Sequence, residues 1–133
     1  MILSKCSFLT LKSVNAGIEV KMEQTFMVSI SVQEAADIIY NEVLDGSITG
    51  ELIDKYEIKD GSTLKCMVQV FEKHYYRAGN RLTLTVVLDN IGGNTRVHYS
   101  SGGGGEGLFR FDWGAAEDFA DIVPDALEEY RIH

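Results

Sequence analysis

The sequence predicts an α+β domain in which a curved, mostly antiparallel sheet carries two helices on one face. Two segments, one toward each end of the chain, have apolar residues at helical spacing, and between them lie β-rich runs separated by short turn signals. The order along the chain is strand, helix, a four-strand meander, helix. One proline and 13 glycines, with six Phe and six Tyr in 133 residues that are 45% apolar, suit an ordered fold with one core. Such a sheet can curl around the C-terminal helix, as in helix-grip proteins, an analogy that carries no function.

Residues 1–21 read as an N-terminal hairpin or extension, and residues 22–133 as a single α+β domain. The hairpin would pair residues 5–11 with a strand from Ile18 onward, around Asn15, Ala16 and Gly17. The alternative start is Met22, which is followed by an acidic residue and a clean strand over residues 23–30. Ser31 and Glu34 then have capping-box spacing. Val32, Ala35, Ala36, Ile39, Tyr40, Val43 and Leu44 form one helical stripe, assigned to the core, and Gly46 stands where a C-terminal cap belongs. Residues 51–59 and 63–74 flank Asp60-Gly61, a dipeptide that favours a type I′ hairpin turn. Residues 51–56 can also continue as helix, so the first arm has two readings. Residues 81–88 alternate through Leu82, Leu84, Val86 and Leu88, and the turn at residues 91–94 leads into a strand over residues 95–100. After the glycine loop, residues 108–112 can finish a strand. A helix follows, with Ala115, Ala116, Phe119, Ile122, Val123, Ala126, Leu127 and Tyr130 as its buried stripe, Asp112 as candidate cap, and Pro124 as a kink or a second start. Glu117, Asp118 and Asp121 complement the helix dipole and need no functional role.

The net charge of −8 opposes electrostatic binding to nucleic acid or an anionic membrane. The charge is uneven: residues 23–62 carry nine acids against two bases, residues 101–133 eight against two, and residues 63–100 two against five. No stretch approaches the apolar length of a membrane-spanning helix. The first ten residues lack the form of a secretory signal, so a cytoplasmic protein is expected. Cys6 and Cys66 lack metal-ligand spacing and read as reduced, packed thiols.

The most unusual stretch is the glycine run Gly102, Gly103, Gly104 and Gly105, followed by Glu106. It reads as a loop whose backbone meets something closely. In a meander the connections alternate between the two ends of the sheet, which places this run at the same end as His74, Tyr75, Tyr76, Arg77 and Arg81. Successive glycines can present unpaired N–H groups to an anion, arginine gives bidentate contacts, and tyrosine adds a ring and a hydroxyl. These residues are the candidate ligand site, suited to a carboxylate or phosphate. The blander alternatives are a sheet-edge cap for the tyrosines, surface ion pairs for the arginines, and close helix passage for the glycines. The run is no P-loop, because Glu106-Gly107-Leu108 follows where Lys-Ser or Lys-Thr is required, and its formal GxGxxG match lacks a βαβ unit. The three histidines, His74, His98 and His133, fall into no catalytic motif, and Glu106 as a general base would need desolvation. No catalytic residue, metal site or cofactor is expected.

Three motifs resemble an uncharacterised bacterial family, a small domain of unknown function. They are Gly46-Ser-Ile-Thr-Gly-Glu-Leu-Ile-Asp54, Phe71-Glu-Lys73 with Tyr75 to Arg77, and Ser101-Gly-Gly-Gly with Leu108-Phe-Arg-Phe-Asp-Trp-Gly114. The resemblance covers roughly residues 22–131 and implies no activity, cofactor or catalytic residue. The leading expectation is a non-enzymatic module binding a small anionic or amphipathic ligand. A homodimer pairing an exposed strand or apolar sheet face comes second. An enzyme comes third, to be raised by close placement of His74 with Glu106.

Overall fold

The computed structural model describes residues 24–46, 49–75, 80–104 and 113–133. The N-terminal hairpin or extension, Tyr76, Arg77, Gly105, Glu106, the strand expected over residues 108–112 and the Asp112 cap lie outside these residues.

Strand β1 (Thr25–Val28) leads through Ser31 into helix α1 (Val32–Asp45). The predicted capping box is present: Glu34 N–H donates to Ser31 Oγ at 3.1 Å, and Ser31 N–H donates to Glu34 Oε1 at 3.3 Å. Gly46 caps the far end, but in a right-handed conformation with φ −81°. The helix needs glycine there for space, since a Cβ would stand 2.8 Å from Glu42 O.

Strands β2 (Glu51–Asp60), β3 (Thr63–Tyr75), β4 (Asn80–Asp89) and β5 (Thr95–Gly104) form the predicted meander. Residues 51–59 are therefore strand, not a continuation of helix. Asp60 pairs with Thr63, so the central turn residues are Gly61 and Ser62. Gly61 has φ +63° and Ser62 has no positive φ, a pattern of type II′ in place of the expected I′. Helix α2 (Trp113–Ala126) contains Pro124 and ends two residues after it. Tyr130, expected on that helix, belongs instead to a 3₁₀ turn (Glu128–Tyr130) that feeds a two-residue strand β6 (Arg131–Ile132).

All six strands form one open antiparallel sheet in the order β2-β3-β4-β5-β1-β6. Helix α1 packs on β3 and β4, α2 packs on β4 and β5, and the helices touch each other, so both cover the same face. The alternation of each strand sends Met67, Phe71, Leu82, Leu84, Val86, Leu88, Val97 and Tyr99 into this layer, where they meet Ile39, Val43, Phe119, Val123 and Leu127. Each fully buried aliphatic or aromatic side chain contributes about 1.5–3 kcal/mol, which makes this layer the main source of stability. The opposite face carries no helix among the described residues.

The largest departure from expectation is at the glycines. Gly102, Gly103 and Gly104 are strand, paired with Thr83, Leu82 and Arg81. β4 extends back to Asn80 and offers its backbone to them, and residues without side chains meet no obstacle to an extended pairing. The loop reading fails for these three.

Candidate functional site

The pairing registers assemble the site on the helix-free face. His74 stands opposite Arg81, and Arg81 opposite Gly104. The next row toward the sheet centre on this face is Glu72, Thr83 and Gly102, and Glu51 on β2 faces Glu72. The alternation that buries Phe71 and sends Lys73 over the Phe119 ring, with Nζ 5.8 Å from its centroid, turns Glu72 and His74 away from the helices. A Cβ added at Gly102 would meet nothing within 4 Å, so the surface beside Thr83 is open.

Four side chains converge here. Glu72 Oε1 lies 3.6 Å from Arg81 Nη1 and 3.9 Å from His74 Nε2. Glu72 is the most enclosed of them, with 17% of its side chain exposed against 40% for His74 and 64% for Arg81. The Thr49 hydroxyl donates to His74 O at 2.8 Å and ties the β3 end to the segment before β2. One ligand atom each from Glu51, Glu72 and His74 lie within 4.8 Å of one another. Two carboxylates and an imidazole are a borderline-hard donor set that suits Zn²⁺ or Mn²⁺. Donors at about 2.1 Å from a shared ion stand at most about 4.2 Å apart, so small side-chain rotations would close the set. Without an ion, the same groups form a surface ion-pair cluster worth at most about 1 kcal/mol per pair.

Of the residues expected at the site, His74 and Arg81 come together, with Gly102 and Gly104 beside them in β5. Tyr75 closes the β3–β4 ladder opposite Asn80, and Gly103 pairs with Leu82. Tyr76, Arg77, Gly105 and Glu106, and with Glu106 the expected pairing to His74, lie outside the described residues. Gly102 to Gly104 are extended strand beside β4, and among the described residues positive φ is confined to Gly61 and Gly93, so these three glycines present a strand edge and not the looped geometry expected for an anion nest. Glu51 and Glu72 were not read as site residues. Their signal was available: once β2 and β3 are set as a hairpin about Gly61, the two carboxylates face each other two positions from His74.

A family model matches residues 21–131, most of the chain. The chain belongs to the family of unknown function DUF6054. No curated protein matches it. The DUF6054 match includes every site residue named above.

Elsewhere on the helix-free face of this DUF6054 domain, His98 is exposed and shares a hydrogen bond of 2.7 Å with Thr25 Oγ1 through Nδ1. Arg96 makes a two-point contact with Asp89, Nε to Oδ2 and Nη2 to Oδ1, each at 3.0 Å. That hydrogen bond raises the Arg96 pKa. Cys66 is a half-buried free thiol, and burial first, then the Asp89 charge, pushes its pKa up. No described helix is long and apolar enough to cross a membrane.

Proposed function

We propose that this DUF6054 domain is a binding module whose site is the Glu51, Glu72, His74 and Arg81 cluster at one end of the helix-free face. The observation that carries the reading is the convergence of three donor atoms within 4.8 Å, next to a guanidinium. Two carboxylates oppose a bare anion, so the ligand is a divalent cation that leaves coordination positions open. A small carboxylate or phosphate completes its shell and takes the Arg81 guanidinium as a second anchor. This joins the anionic ligand expected from the sequence to the carboxylates that register supplies.

Calorimetric titration of the full chain with Zn²⁺ and Mn²⁺ tests the site. Saturable one-to-one binding is expected, weakened at least about tenfold by Glu72→Gln or His74→Ala, the scale on which ligand-shell changes act. Arg81→Ala should leave the ion bound and remove the added affinity for phosphate or a carboxylate. Titrations that show no binding, or binding indifferent to Glu72→Gln, would overturn the proposal.

A second reading, self-association, is favoured by a specific feature of the same face. Tyr56 and Ile58 are 60% and 47% exposed, and they face Val68 and Cys66, with Val87 beyond Val68. An apolar band of this kind on a sheet face is an association surface when its partner is another copy. Sedimentation at several concentrations decides it: a species that stays monomeric removes this reading.

A further inference from the structure

The long open edge of the sheet is β2. It ends the strand order, and no strand pairs with its outer side among the described residues, whereas the opposite edge is the two-residue β6. A ten-residue edge offers a row of unpaired N–H and C=O groups as a template for another strand. Eight of its ten residues are exposed, and helix α1 rests mainly on β3, so the helix layer leaves this edge uncovered. Three of the six large apolar side chains exposed among the described residues, Ile53, Tyr56 and Ile58, sit on this one strand.

Edge strands are commonly guarded by lysines and bulges. On β2 both guards spare the middle of the strand. Its ladder with β3 is irregular between Leu52 and Asp54 and again between Ile58 and Lys59, which leaves Asp54 to Ile58 as the regular stretch, centred on Tyr56. Lys55 and Lys59 both lean on Glu57, at 3.7 and 3.9 Å, long contacts at exposed sites that cost little to exchange. In an antiparallel ladder, two opposed residues point their N–H and C=O groups either toward each other or both away. A strand that pairs with its own copy about a two-fold axis therefore sets one residue opposite itself. An axis at Asp54, Lys55 or Glu57 opposes like charges, and one at Ile58 falls at a bulge. An axis at Tyr56 sets ring against ring, with Lys55 of each copy opposite Glu57 of the other and Asp54 opposite Ile58. The charge pattern and the regular stretch thus select the same register independently.

We infer that a second copy of this chain docks on β2, antiparallel and about a two-fold axis at Tyr56, so that one sheet runs through both copies. The inference rests on the self-association reading above and names its geometry. The row Tyr56, Val68 and Val87 continues across the axis into the same row of the other copy, which joins the two apolar bands into one. Opposed residues share a face, so both helix layers lie on one side of the joined sheet and both Glu72 clusters on the other. Two Lys55–Glu57 pairs flank the axis and fix the register.

The test is sedimentation of the full chain over a range of concentrations, with urea denaturation as the check that each variant folds. A reversible monomer–dimer equilibrium is expected. Lys55→Glu or Glu57→Lys alone sets two like-charged pairs across the axis and should weaken the dimer at least about tenfold, and the two together should restore it. In a Cys6→Ser, Cys66→Ala background, Tyr56→Cys should join two chains through a disulfide on mild oxidation. Asp60→Cys, which this register keeps far from its own copy, should not. A monomer at every concentration overturns the inference together with the self-association reading. A dimer that ignores both charge reversals and does not cross-link through Tyr56→Cys overturns the edge pairing alone and leaves association through the sheet face.

Discussion

At the scale of single residues, Asp89 ties the β4–β5 turn to the ladder beside it. It is 8% exposed, accepts from the Ile91 N–H at 3.2 Å to hold the β4–β5 turn, and takes both Arg96 contacts across the ladder. Asp89→Ala leaves the turn amide and the guanidinium without their acceptor, and should cost about 2 kcal/mol in urea denaturation. Asp89 also bears on Cys66, its partner across β3 and β4. Burial and that carboxylate disfavour the thiolate, so alkylation of Cys66 in a Cys6→Ser background should be slower at pH 8 than for a free thiol. Asp89→Asn should shift the pH–rate profile to lower pH. A profile identical in both proteins would remove the charge from the explanation and leave burial alone.

At the scale of elements, the ease of reading followed the range of the interactions involved. Helix α1 was legible from Ser31 to Gly46 because its signals are local: a capping box, a 3.6-residue stripe and a small cap residue. Ser31→Ala should cost about 1 kcal/mol of stability, read as a shift in the urea midpoint with unchanged slope. Strands β3 and β4 and the first part of β5 are legible too, since each pairs with its neighbour in sequence, whereas β2 keeps a helical alternative that only its pairing with β3 removes. The glycines were misread because extended glycine and loop glycine have the same local sequence, and only the presence of β4 alongside decides between them. β6 was invisible for the same reason: two residues carry no period, and their strand character comes from β1. The candidate site divides likewise. His74 and Arg81 stood out by residue type, whereas Glu51 and Glu72 acquire meaning only from the register that sets them face to face.

At the scale of the whole molecule, the two ends of the described chain are neighbours. β1 lies between β5 and β6, Ser29 N–H donates to Tyr130 O at 2.9 Å, and the Arg131 guanidinium sits 5.1 Å from the Phe26 ring centroid. Deleting residues 131–133 removes the outer cover of β1 and that cation–π contact. The loss, about 1 kcal/mol, should lower the melting temperature by about 4 °C in calorimetry while the transition stays single. An unchanged melting temperature would mean that β5 and the helices alone hold β1.

The placement of β1 also dictates a schedule. The meander closes through neighbouring hairpins, but Thr25 must find His98, 73 residues further on, and Met27 must find Ile132, further still. Contacts of such long sequence separation form late, after the loop-closure entropy has been met by other structure. During synthesis, therefore, a nascent chain can fold its hairpins one by one as they emerge. Strand β1 must wait, docked nowhere in the final sheet, until β5 has been made.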